Sequence, residues 1–315
     1  METVLSAVLP IFALILAGYI CGRRGTFGPG ATDSLNRFVV YLALPALLFL
    51  GADHVTRATA GPPAFLIAFS AAMLACFALS FVLERMAGHR VADCAIAGLG
   101  GGYANTGFMG IPLCLALFGE RGLPPALMSS LLTISGLFAL ALIIIEFDLQ
   151  ASPNFGRTLL RTGRALLANP LVTAPIAGFA LDFSGIPLPS PVLHFATLLG
   201  DAASPCALVT IGLFLSRRPQ PDEPKPQFAG IVRQVGIKLL LQPALTALIV
   251  LRMTNLPPVW AASAILISAL PTGTGPFMLA KLYDREAANI SGTILVSTLL
   301  SIVSITLLVA WLRPG

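Results

Sequence analysis

Apolar runs of roughly 18 to 25 residues recur along this chain between short polar clusters, and each is long enough to cross about 30 Å of hydrocarbon as a helix. A chain folding in water could not bury so many of them. Of its 315 residues, 56% are apolar and 10% charged, against about 25% charged in a soluble domain. This excludes a soluble enzyme, a nucleic-acid-binding domain and a disordered chain. It predicts an all-α polytopic membrane protein whose first partner is the lipid bilayer.

The runs place ten spans at 3–21, 34–52, 62–83, 92–118, 124–147, 166–184, 191–215, 229–251, 258–281 and 287–312. Residues 3–21 follow no basic n-region and are expected to stay in the membrane as the first helix. The odd-numbered loops hold 14 of the 19 Lys and Arg residues, among them Arg23, Arg24, Arg157, Arg161, Arg217 and Arg285. Arg57, Arg121, Arg252 and Arg313 lie on the opposite side, and Lys238 falls inside the eighth span. Cytoplasmic loops accumulate basic residues, so the odd loops are expected in the cytoplasm and both termini outside. The net charge of +5 then reflects loop sidedness and not a nucleic-acid partner.

Lys238, near the cytoplasmic end of its span, is expected to snorkel to the interface. Glu146 and Asp148, closing the fifth span, are expected to be solvated. The five cysteines are odd in number and lack Cys-x-x-Cys spacing, which reads as small buried hydrophobes. No phosphate-binding loop is present, so a single-chain ATP-driven pump is not expected. His54, His89 and His194 have no partners at metal-ligand spacing. No metal, no cofactor and no enzymatic activity are expected.

The two halves echo each other. Pro10-Ile11 matches Pro175-Ile176, Ala43-Leu44-Pro45 matches Ala203-Ser204-Pro205, Thr106-Gly107 matches Thr272-Gly273, and Glu120 matches Glu286, at offsets of 160 to 166 residues. Five spans per copy is an odd number, so the second copy enters from the other face: an inverted-topology repeat of the kind found in secondary transporters. The division is 1–147 for the first repeat, 148–165 for a cytoplasmic connecting loop, and 166–315 for the second repeat. Residues 216–228 form a proline-rich tether.

Helix breakers fall at matching places in the two copies. The fourth span is interrupted between Gly107 and Pro112, the ninth between Pro271 and Pro276. Proline removes a backbone donor, glycine weakens a helix, and the freed groups are tolerated at membrane depth only where protein or a polar cavity receives them. Each break leaves a half-helix N-terminus with unpaired N–H groups and positive dipole character, suited to a carboxylate. Asn105, Thr106, Thr272 and Thr274 add neutral donors, and Gly107 and Gly273 let backbone approach. No Arg or Lys is expected at this depth. The plainer reading is a pair of kinked packing helices with small residues such as Gly98-x-x-x-Gly102 at the contact. Asp201, about ten residues into the seventh span, is either a proton- or Na⁺-coupling site, a substrate-facing group, or a packing acid satisfied by Ser204 or neighbouring backbone.

These strings resemble the auxin efflux carrier family, which includes plant auxin carriers and bacterial malate/malonate permease-like members. The resemblance rests on Asn36-Arg-Phe and Ala43-Leu-Pro45, Asn105-Thr-Gly-Phe-Met-Gly-Ile-Pro112, Asn169-Pro170, and Leu270-Pro-Thr-Gly-Thr-Gly-Pro-Phe277 with Ala280-Lys-Leu-Tyr283. It implies ten helices in a five-plus-five inverted repeat, with broken helices 4 and 9 crossing at their prolines. Helices 1, 2, 6 and 7 would form a scaffold and helices 3–5 and 8–10 a transport domain moving elevator-fashion. The implied cargo is a small organic anion such as malate, malonate or an auxin-like acid. Asn105 would meet its carboxylate, Leu44 would face it from the scaffold, Thr274 would line the crossover and Asn169 would contribute from the Asn-Pro motif. A homodimer through the scaffold and a bacterial cytoplasmic (inner) membrane are implied too. The early third span, Ala60–Ile67, has no acid where plant members carry one. The rival readings are a Na⁺-coupled transporter resembling the bile-acid symporters and an anion channel.

Overall fold

The computed structural model describes residues 2–28, 30–53, 61–149, 170–216, 227–253, 255–285 and 287–312, with Leu160, Gly163, Arg164, Leu167 and Ala168. The helices are α1 Glu2–Arg23, α2 Ala31–Phe38, α3 Leu44–Asp53, α4 Pro63–Met86, α5 Val91–Gly102, α6 Ile111–Phe118, α7 Leu123–Ser130 and α8 Phe138–Leu149. They continue with α9 Pro170–Ser184, α10 Ser190–Asp201, α11 Ala203–Ser216, α12 Phe228–Gly236, α13 Gln242–Met253, α14 Pro258–Ser268, α15 Gly275–Leu282 and α16 Ala288–Leu312. Single wide turns of π-helix at Val39–Ala43, Thr106–Gly110, Leu131–Leu137 and Ile237–Leu241 join several of them.

Six continuous helical runs among the described residues are long and apolar enough to cross a membrane: Ala31–Gly51, Pro63–Met86, Thr106–Leu149, Ser190–Ser216, Phe228–Arg252 and Ala288–Trp311. Three shorter apolar helices are Phe12–Arg23, Val91–Gly102 and Pro258–Ser268. The only β feature among the described residues is an isolated antiparallel bridge between Ala104 and Thr272. The chain is an all-helical, multi-pass membrane protein. Its surface carries large apolar side chains such as Leu16, Tyr41, Ile67, Leu240, Leu300 and Trp311, while Ser80, Thr133, Gln242, Thr246 and Ser297 are buried. Hydrocarbon solvates the first group and would not satisfy the second, so the polar side chains turn inward.

The helices form two units. The first comprises Met1–Gly61, Gly107–Leu131 and Leu167–Pro219; the second comprises Pro62–Thr106, Leu132–Leu166 and Gln220–Gly315. Each unit therefore draws helices from both halves of the sequence.

In the first unit α1 lies along α11, and α3 lies along α9 and α10. The α1–α11 approach depends on two glycines. A Cβ at Gly18 would fall 2.2 Å from the Val209 carbonyl oxygen, and one at Gly212 would fall 2.0 Å from that of Ile15. These obstacles are backbone and cannot swing aside. Gly212→Val should therefore drive the two helices apart, at a cost of about 1–3 kcal/mol or more. The expected result is a lower unfolding midpoint and less monodisperse protein by fluorescence-detected size exclusion; a wild-type profile would show that the helices part freely.

In the second unit α4 packs on α5, α5 on α8, α13 on α4 and α14, and α12 on α16. Phe65 meets Trp260 edge-on, ring centroids 4.9 Å apart, and stacks on Phe69 at 5.9 Å. Gly98 packs under the Phe77 ring and Gly102 against the Met73 carbonyl, so small residues do bring α5 close to α4. Polar contacts tie the loop-side ends of this unit. Arg233 bonds the Glu84 carboxylate, with His89 3.6 Å from the same group. Arg285 forms a forked contact with Asp93. The Asp93 hydrogen bond pushes the Arg285 guanidinium above the ordinary arginine range, against an opposing effect of burial. Glu146 and Asp148 are not simply solvated: Glu146 accepts from the Tyr283 hydroxyl, and Asp148 accepts the Ala92 N–H at 3.0 Å. An acid at the end of α8 meets orphan N–H groups at the start of α5, which explains why Asp148 turns inward.

Candidate functional site

The second unit holds both helix interruptions. Glycine is dense at the end of α5, Gly100-Gly101-Gly102, and the chain leaves the helix at Tyr103 into extended backbone (φ −86°, ψ 92°). The other interruption follows Ser268, where α14 ends and Pro271 forbids a continuing helix. The two extended stretches cross antiparallel. Asn105 N–H donates to the Pro271 carbonyl at 2.9 Å and Gly273 N–H donates to the Tyr103 carbonyl at 3.0 Å, flanking the Ala104–Thr272 pair. Backbone groups released by each broken helix are thus satisfied by the other.

The first interruption lies upstream of its expected place. It spans Tyr103–Asn105, whereas Gly107 belongs to the π-turn Thr106–Gly110 and Pro112 is the second residue of α6. Pro112 follows that π-turn inside the continuous helical run Thr106–Leu149, so it does not mark the break. Pro276 is likewise the second residue of α15, while Pro271 stands within its interruption.

Around the crossing, Asn105 is 4% exposed and its backbone is anchored as described. Thr106 is buried, and its hydroxyl has no hydrogen-bond partner among the described residues. Thr272 is committed elsewhere: its hydroxyl donates to the Gly100 carbonyl at 2.8 Å and its N–H donates to Ser297 Oγ at 3.2 Å. Thr274 accepts the first helical bond of α15, from Met278 N–H at 3.1 Å, and so sits at its N-cap. The structure therefore brings Asn105, Thr106, Thr272, Gly273 and Thr274 together.

The other candidates fall outside this cluster. Leu44 is buried in the first unit, where it opens α3; Gly107 is the exception, following Thr106 directly in the π-turn Thr106–Gly110 and so adjoining the cluster. Asn169 lies outside the described residues. Asp201 ends α10 in the first unit with its side chain exposed and not in the interior.

The sequence passes over one residue beside the crossing and misplaces another. Tyr103 is buried with its ring against Gly273 and Gly275, where added Cβ atoms would lie 2.9 Å and 2.6 Å from ring carbons. Lys238 does not snorkel: it is fully buried, and its ammonium nitrogen lies 2.7 Å from the Ser268 carbonyl oxygen. Its helix presents Leu240 outward instead, because two residues further on the helix face has turned to the surface. A charged residue inside an apolar span was the signal available, and its depth was misjudged.

Two interrupted apolar helices crossing inside a helical membrane protein are a feature of secondary transporters. The chain matches the Membrane transport protein family over residues 3–309 and belongs to that family, that of the auxin efflux carriers. It is 31% identical to a Rhizobium meliloti protein named "Putative malonate transporter", across 100% of this chain and 98% of that one. It is 26% identical to an uncharacterized transporter of Escherichia coli, covering 93% of this chain and 92% of the relative. With "Auxin efflux carrier component 8" of Arabidopsis thaliana it shares 23% identity over 95% of this chain and 94% of the plant protein.

Proposed function

We propose that this transporter moves small organic anions, carboxylates such as malonate, malate or auxin-like acids, across the bacterial cytoplasmic membrane as a secondary carrier. The observation that carries this reading is the bridged crossing of the two interruptions, with Asn105, the open Thr106 hydroxyl and the Thr274 cap beside the starts of two helical segments. Positive dipole ends and neutral donors in a dehydrated place stabilise a carboxylate without a basic side chain touching it. Malonate in the name of one relative agrees with that chemistry. The ten-span, five-plus-five inverted arrangement, with both termini outside, is part of the same reading. Leu44 and Asn169 join the substrate set by family likeness.

The crossing lies wholly within one of the two units, and that unit is tied by Glu84–Arg233, Asp93–Arg285 and Glu146–Tyr283 contacts among α4, α5, α8, α12 and the segment after α15. Such ties suit a body that carries bound anion across as one piece, elevator-fashion.

The test uses purified protein in proteoliposomes on solid-supported membranes, with a panel of mono- and dicarboxylates, with and without Na⁺. A saturable, carboxylate-evoked current is expected, or labelled counterflow where exchange is electroneutral. Silence in both assays from folded protein would overturn the proposal.

A further inference from the structure

Among the residues whose burial is described, Lys238 is the one that carries a basic side chain into the interior of the second unit with complete burial. Among the described residues no carboxylate pairs with it; the ion pairs of this unit are made by Arg233, Arg285 and His89. Its partner is instead the carbonyl of Ser268, the last residue of α14. Four residues on, Gln242 is also fully buried, and its side-chain NH₂ donates to the carbonyl of Gly102, the last residue of α5, at 3.3 Å. Lys238 lies within the π-turn Ile237–Leu241, Gln242 follows it directly, and both turn inward. One helix therefore caps the carbonyl ends of both interrupted helices. Each capped residue stands three positions before a residue of the crossing: Gly102 before Asn105, Ser268 before Pro271.

The two caps differ in charge. Helix carbonyl ends carry partial negative charge, and a cation there is the favourable complement. Gln242 meets one end with a neutral amide whose own oxygen has no hydrogen-bond partner among the described residues. Lys238 meets the other end with a tethered ammonium. The remaining buried neighbours able to ionise include Cys76, on α4.

We propose that Lys238 is the resident cation of the transport unit: a positioning residue whose ammonium holds the end of α14 in register for the crossing and supplies the positive charge that accompanies the bound anion, so that anion binding requires no Na⁺. The inference rests on the anion-transport reading for its second half only. The first half, an internal cation site on the Ser268 carbonyl, stands by itself.

The experiment compares wild type, Lys238→Met and Lys238→Ala as purified full-length proteins, reading thermal unfolding and malonate binding in Na⁺ and in choline buffers. Wild type is expected to bind malonate equally in both. Lys238→Met fills the space without the charge and should remain folded while binding at least about tenfold more weakly. Lys238→Ala leaves a void that methylammonium fits, so methylammonium should raise its unfolding midpoint and restore binding, whereas tetramethylammonium should do neither. Wild-type affinity in Lys238→Met, Na⁺-dependent binding by wild type, or indifference of Lys238→Ala to methylammonium in both readouts would each overturn the proposal. If wild type binds no carboxylate, the anion reading fails. The methylammonium-dependent midpoint of Lys238→Ala then still decides whether this is a cation site.

Discussion

Asn105→Ala is expected to weaken carboxylate binding roughly 10- to 150-fold, the equivalent of losing one hydrogen bond of about 1.5–3 kcal/mol to a charged group. The fold should survive. The bridge to the other interruption is made by the Asn105 backbone N–H on the Pro271 carbonyl, which alanine retains. Asn105 is almost completely buried, and the hydroxyl of Thr106, the next residue, has no hydrogen-bond partner among the described residues. Isothermal titration with malonate, beside a thermal melt, checks both halves: a shifted affinity at an unshifted midpoint is the predicted pair. Unchanged affinity would remove Asn105 from the substrate set, and a collapsed midpoint would make it a structural residue.

Gly275→Ala should damage both stability and binding, and a second substitution should repair them. The new Cβ would lie 2.6 Å from the Tyr103 ring and 2.8 Å from its hydroxyl oxygen, both inside van der Waals contact. Tyr103 is buried and leads directly into the bridged segment, so the ring cannot retreat without moving the crossing. Overpacking of this kind costs about 1–3 kcal/mol. Tyr103→Leu in the same chain removes the obstructing ring edge. The double variant is therefore expected to bind better than Gly275→Ala alone, with a coupling term of about 0.5–3 kcal/mol in a double-mutant cycle. Strict additivity of the two substitutions would show that the ring and the glycine do not meet as described.

Much of the architecture was legible in one dimension because a bilayer imposes a simple rule: a spanning segment must be a helix of known length with an apolar outside. That rule picks out an all-helical polytopic chain, and the clustering of Gly and Pro at residues 98–112 and 271–276 points to the two interruptions. Asn105, Thr106, Thr272, Gly273 and Thr274 follow as neighbours of those breakers. The exact place of the first interruption was not legible, because a proline such as Pro112 can sit beside a π-turn inside a helical run as well as at a helix stop. The glycine run at 100–102 is what ends α5, and Tyr103 to Asn105 pair with the other segment.

Side-chain commitments were also beyond the sequence. Thr106 and Thr272 each precede a glycine in the two breaker strings, yet the Thr272 hydroxyl is donated to the Gly100 carbonyl while that of Thr106 has no partner among the described residues. Like residues acquire different tasks when different carbonyls lie beside them. Glu146 and Asp148 were read as solvated because nothing in the chain around them names Tyr283 or Ala92 as partners.

The sequence by itself determined the solvent, the helical class and the family, since each depends on composition, period or local strings. Tertiary structure alone decided where the charges go. Lys238 was indistinguishable from a snorkelling lysine until its neighbours were in place, and burial against the Ser268 carbonyl makes it an interior group. Asp201, in contrast, was read as an interior acid and stands exposed at the end of α10. The physical reason is common to both. The free energy of a charge in a membrane protein depends on which dipoles surround it, and those dipoles come from residues far away in the chain.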